Sequence, residues 1–135
     1  RAAFLGLYHD MPEIITGDMP TPVKYYNENI RNDFKFVEES ACERLLGMLP
    51  ADLKDYYTPA FFKNEEDSYL WRIVKAADKI SALIKCIEEE KAGNREFKDA
   101  YISTVKAIED MNMEEVDSFM KDFMGSFRLS LDEQK

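Results

Sequence analysis

The sequence is short of histidine, tryptophan, cysteine and positive charge, and each shortage removes a class of function. Lysine and arginine number 18 against 27 aspartates and glutamates, a net charge of -9. That balance argues against nucleic acid or an anionic membrane as a general partner. It also makes a phosphate substrate unwelcome unless a cation sits in the site. No apolar run is long enough to cross a membrane. Residues 1–8 are too short for a signal peptide and lack a cleavage pattern. The two cysteines, Cys42 and Cys86, fall inside expected helices and read as buried free thiols, which suits a reducing, cytoplasmic setting. No strand-like alternation, repeat or low-complexity stretch is present. The chain opens on Arg1-Ala-Ala-Phe-Leu without an initiator methionine or a helix cap, so upstream residues are expected to be missing.

What is present is an ordinary soluble composition, 45% apolar and 33% charged, at a length of 135 residues that fits one domain spanning 1–135. The apolar periodicity is helical throughout, so the fold class is all-α. Ile30, Phe34, Val37, Ala41, Leu45 and Met48 form one stripe of a helix from about Asn29 to Leu49. A shorter segment starts at Pro50 and is expected to break at Thr58-Pro59, with Phe61 and Phe62 packing the corner. The longest helix is expected from Glu65 to Lys91, capped by Asn64, with Leu70, Ile73, Ala77, Ile80, Ile84 and Ile87 inward. Another follows from Arg95 to about Asp110, with Phe97, Tyr101, Val105 and Ile108 facing in. Asn112 and Glu115 then resemble a capping box before a last helix carrying Val116, Phe119, Met120, Phe123 and Phe127. The tail from Leu129 is expected to fray.

The chemistry is concentrated in residues 9–22, which hold the single histidine. His9, Asp10, Glu13 and Asp18 fall within ten positions, with Pro12, Pro20 and Pro22 around them. Phe4, Leu5, Leu7 and Tyr8 read as the end of an apolar helix. Pro12 ends it and opens a short one, placing Glu13 in a first turn that favours a carboxylate. Gly17 suits the position just past the last turn, and Thr21-Pro22 reads as the cap and first position of the next helix. Imidazole with carboxylate is a ligand set for a divalent transition metal. A nearby carboxylate that is not a ligand can take a proton from water activated by the ion. On these residues alone, a surface or hydrogen-bonded His–Asp pair is at least as good an account.

Asp78 shifts the balance. Aspartate is a poor helix-interior residue, yet it stands in mid-helix within Lys75-Ala-Ala-Asp-Lys-Ile-Ser81, beside the apolar stripe. One reading is an ion pair with Lys75 or Lys79. The other is a buried third metal ligand supplied by a second helix. Trp71 reads as core or interface.

Together His9-Asp10, Glu13-x-x-Thr16-Gly17-Asp18-x-Pro20-Thr21-Pro22-Val23-Lys24-Tyr25 and Ala76-Ala77-Asp78 resemble the HD-domain phosphohydrolases, and within them the YfbR-type 5'-deoxynucleotidases. Lys85-Cys-Ile-Glu-Glu89, Ala92-Gly-Asn94 and Ser126-Phe-x-Leu-Ser-Leu-Asp-Glu133 extend the likeness over nearly the whole chain. The resemblance implies an HD-type helical bundle and a phosphomonoesterase acting on deoxyribonucleoside 5'-monophosphates. It implies a metal, cobalt, manganese, zinc or iron, held by His9, Asp10 and Asp78, with Glu13 and Asp18 catalytic and Asp18 and Thr21 toward substrate. It implies a homodimer. The family's first metal-binding histidine lies upstream of the His-Asp pair, and no histidine precedes His9 here. That departure fits a chain lacking its N-terminal helices. Two rivals stay open, an HD-type hydrolase of another phosphate ester and a non-catalytic helical module with a vestigial site.

Overall fold

The computed structural model describes residues 1–24, 26–130 and 132–133, without the Thr21 side chain. The described residues are helical, with no strand among them. Their contacts divide them into two compact units, 1–71 and 72–135.

The first unit contains α1 (Ala2–Tyr8), α2 (Glu13–Thr16), α3 (Thr21–Lys24), α4 (Glu28–Gly47) and α5 (Ala51–Phe61). α4 is its floor: α2, α3 and α5 pack on it, and α1 packs on α5. Asn27 starts α4 by accepting a hydrogen bond from the Ile30 N–H at 2.8 Å, the usual device for an orphan first-turn donor. The face of α4 that turns inward differs from the expected stripe. Val37 and Met48 are exposed, whereas Cys42 and Leu46 are buried with Phe34 and Ala41. Each residue advances about 100° around a helix, so the inward face is rotated toward Cys42 and Leu46, and Glu38 falls on it.

Pro59 does not break α5 but sits inside it. Only the final turn follows the proline, so a single helical hydrogen bond is forfeited. The Thr58 hydroxyl donates to the Lys54 carbonyl at 2.8 Å, the Phe62 N–H closes the last turn on Thr58 at 2.9 Å, and Ala60 is buried. Phe61 and Phe62 are half-buried. α6 (Ser68–Lys91) begins three residues later than expected. Asn64 is a cap, but of the preceding turn: its carbonyl oxygen accepts from the Asp67 N–H at 2.7 Å. Residues 65–67 are thereby held as a turn.

The second unit carries most of α6, then α7 (Lys98–Glu109), α8 (Glu114–Asp122) and a 3-10 turn (Met124–Arg128). Its core is continuous: Ala76, Ile80, Leu83 and Ile87 from α6 meet Ile108, Met113, Val116 and Met124, flanked by Ile73, Ile84, Tyr101, Val105, Phe119 and Phe127. Leu83 and Ile87 are almost fully enclosed, and Ala77 is exposed. Asn112 does not cap α8. It adopts a left-handed φ of 48°, which asparagine tolerates better than most residues, and its amide bonds the Asp110 carbonyl instead. Phe123 is exposed while Met124 is buried, because the chain tightens from 3.6 to 3 residues per turn after Asp122 and resets the inward face. Ser130 is not frayed: its N–H and hydroxyl both bond Glu133 at 2.8 Å. Leu131, Gln134 and Lys135 lie outside the described residues. Among the described residues, no helix is long and apolar enough to cross a membrane.

Candidate metal and catalytic site

α1 is short, and its position comes from its flanks. At its start, Arg1 forms a two-pronged ion pair with Asp67, at 2.6 and 2.7 Å. The Asp67 side chain is only 4% exposed; Arg1 and Asn64 hold its carboxyl below the usual aspartate range. Along its length, Phe4 and Tyr8 pack against Tyr56 and Tyr57 of α5, with ring centroids 5.3–5.6 Å apart. Edge-to-face aromatic contacts of this kind fix orientation as well as burying area. His9 follows as the residue that ends α1.

The His9 ring is oriented by its own helix. Nδ1 lies 2.7 Å from the Gly6 carbonyl, and a carbonyl can only accept, so Nδ1 carries the proton. In the neutral ring Nε2 is then a bare lone pair. Nε2 is buried and has no hydrogen-bond partner, yet it stands 3.1 Å from Asp10 Oδ2. In the neutral ring, a lone pair and a carboxylate oxygen repel each other at this distance; a proton on Nε2 or a metal cation between the two removes the repulsion. Two donor atoms bound side by side to one ion, with bonds of about 2.0–2.2 Å, stand about 3 Å apart. The pair therefore fits a divalent ion in donor type and in spacing.

α2 places Glu13 one turn beyond Asp10, its N–H donating to the Asp10 carbonyl at 2.9 Å. Pro12 sits at the start of α2, as expected. Glu13 is half-buried. Burial pushes its carboxyl above the ordinary glutamate range, and the charges of Asp10 and Asp18 push it further, with Lys24 opposing. Gly17 ends α2 at φ 71°, a left-handed conformation that strains other residues. Exposed Asp18 follows. α3 begins on the Pro20 carbonyl, which accepts from Val23 and Lys24, so the cap falls one residue earlier than expected. The Thr21 side chain and Tyr25 lie outside the described residues.

Asp78 stands on α6 in the second unit. It is exposed rather than buried, because α6 turns Ala76, Ile80, Leu83 and Ile87 inward and leaves position 78 away from that face. Neither Lys75 nor Lys79 is among the ion-pair partners of the described residues. Among those residues no three His, Cys, Asp or Glu side chains form a group able to hold a metal by themselves. His9, Asp10, Glu13 and Asp18 are thus gathered in the first unit. Sequence reasoning missed two polar ties there: Arg1 to Asp67, and Lys24 to Glu38 at 2.9 Å. Glu38 four positions after Phe34, on the inward face of α4, was the available sign of the second.

A family model described as 5'-deoxynucleotidase YfbR-like matches residues 1–127. The chain belongs to this family. Similar curated proteins include a 5'-deoxynucleotidase of Vibrio atlanticus (strain LGP32), 44% identical over 131 residues that make up 97% of this chain and 68% of that protein. A 5'-deoxynucleotidase of Erwinia tasmaniensis is 43% identical over 133 residues, 98% of this chain and 67% of its own length. The 5'-deoxynucleotidase YfbR of Salmonella typhi is 44% identical over 133 residues, with the same coverage. Membership in the YfbR-like family implies a divalent metal, which the chemistry of the His9–Asp10 pair accommodates.

Proposed function

We propose that this chain is a divalent-metal-dependent phosphomonoesterase that hydrolyses deoxyribonucleoside 5'-monophosphates to deoxynucleoside and phosphate. One observation carries the reading: a buried imidazole nitrogen and a carboxylate oxygen are held 3.1 Å apart with no hydrogen bond between them. Both relax when a cation joins them. His9 and Asp10 would hold that ion. A cobalt, manganese, zinc or iron ion bound there supplies Lewis acidity and offsets the charge between an acidic protein and a phosphate ester.

The remaining work falls to side chains of this chain. Glu13 accepts a proton from the attacking water. Its raised proton affinity makes it a stronger base than an ordinary glutamate. Asp18, on the glycine-ended loop, orients the water or a sugar hydroxyl, and Thr21 contacts the substrate. The water oxygen bonds to phosphorus, the bond from phosphorus to the 5' oxygen breaks, and the proton taken up by Glu13 passes to that oxygen as the deoxynucleoside leaves. The reading treats 1–135 as one HD-type domain. It sets the protein in the cytoplasm, where Cys42 and Cys86 remain free thiols, and as a homodimer. The test is phosphate release from dAMP and TMP, alongside the matching ribonucleotides, with and without each dication. Metal-dependent release from the deoxyribonucleotides is expected, and no release under any metal overturns the proposal.

A further inference from the structure

We infer that Lys24 is the chain's own contact for the phosphate of the substrate, kept in position by Glu38 and the Phe34 ring until substrate arrives; this rests on the phosphomonoesterase reading above. α2, which carries Glu13, and α3, which ends in Lys24, both pack on α4. The Lys24 Nζ lies 2.9 Å from Glu38 Oε1 and 4.8 Å from the centre of the Phe34 ring. A third of the side chain remains open to solvent. An ammonium has three donors, and Glu38 takes one of them.

The electrostatics of the site call for such a group. Asp10, Glu13 and Asp18 bring three carboxylates into one short stretch, Glu38 adds a fourth on α4, and Lys24 pairs with the last of them. A phosphate dianion approaching this cluster meets the same carboxylates. An ammonium on a flexible stem is a common phosphate binder, acting as a point charge. Glu38 lies on the inward side of α4, where an unpaired carboxylate is costly. It therefore fixes the ammonium near the site and reduces the freedom lost when phosphate binds.

The alternative is that Lys24 and Glu38 merely tie α3 to α4, and the two ideas predict different symmetry. As a phosphate contact, Lys24→Gln raises KM for dAMP about 10–100-fold, the worth of one charged hydrogen bond, with kcat near wild type. It weakens competitive inhibition by inorganic phosphate to the same degree. Lys24→Arg restores part of both, and Glu38→Gln, which frees the ammonium without removing it, raises KM by clearly less than Lys24→Gln. Lys24→Met, which keeps the apolar stem over Phe34, repeats the Lys24→Gln result should that variant melt early. If Lys24→Gln and Glu38→Gln raise KM alike, or if Lys24→Gln leaves KM and phosphate inhibition unchanged, the inference is overturned. Should wild type release no phosphate from any deoxyribonucleotide, the functional reading fails alone. Calorimetric binding of inorganic phosphate to wild type and Lys24→Gln then still decides, with weaker binding by the variant in favour and equal binding against.

Discussion

The two units solve the same problem with different means. The second, 72–135, is held by a continuous apolar cluster in which α6, α7, α8 and the 3-10 turn share Leu83, Ile87, Ile108 and Met124. The first, 1–71, buries few apolar side chains, and leaves Leu7, Ile14, Phe36 and Tyr56 largely exposed. Its helices are positioned instead by polar and aromatic ties: Arg1 to Asp67, Lys24 to Glu38, Asn27 on α4, and the rings of Phe4, Tyr8 and Tyr57. The unit that gathers His9, Asp10, Glu13 and Asp18 is the one with the sparser core. Burial is non-directional and scales with area. Hydrogen bonds and ion pairs fix particular atoms at particular distances, which a reactive site requires.

That contrast can be broken from either side. The largest effect is expected in the first unit and on activity alone. Glu13→Gln lowers kcat about 10²–10⁴-fold, the usual worth of a general base. Because the folded protein holds Glu13 above its ordinary pKa, its charge is destabilising once pH rises past that pKa. The variant therefore melts no lower than wild type at pH 7, as calorimetry would show. A lower melting temperature with kcat intact would reverse the assignment of roles.

Next in size is Leu83→Ala in the second unit. Its side chain is fully enclosed, so truncation costs about 2–5 kcal/mol by urea unfolding. A loss under about 1 kcal/mol would mean that the core is not the close-packed cluster described. The Arg1–Asp67 tie separates the units by pH. A carboxyl held below its unfolded pKa adds stability above that pKa and loses it as pH falls through the folded value. Asp67→Asn should therefore lower the melting temperature by a constant amount from pH 7 to about 5, and the gap to wild type should close below about pH 4. A gap independent of pH would remove the ion pair as its cause. The smallest effect is Asn27→Ala, which removes one cap and costs about 1 kcal/mol.

The same contrast explains what was legible in the sequence. Apolar periodicity located every long helix and half of the second core, Ile80, Ile87, Ile108 and Val116, because burial leaves a 3.6-residue signature; it missed Ala76, Leu83, Met113 and Met124. It misplaced ends and phases where polar contacts decide. The cap at Asn64 was read correctly but assigned to the wrong turn. Thr58 and Ala60 carry α5 through Pro59, and Asn112 accepts a left-handed backbone instead of capping α8. The His9–Asp10–Glu13–Asp18 cluster was visible because it is local, set by Pro12 and Gly17 within one short stretch. Arg1 and Asp67, 66 positions apart, leave no periodic trace, and the exposure of Asp78 follows from the phase of α6 rather than from its composition.

The functional reading turns on the proposal that His9 and Asp10 hold one dication. Calorimetric titration of cobalt(II) into the metal-stripped full chain tests it most directly, comparing wild type with His9→Ala and Asp10→Ala. The account predicts one site per chain in wild type and at least about tenfold weaker binding in each variant, the low end for losing a metal ligand or its support. Wild-type affinity in both variants would contradict it.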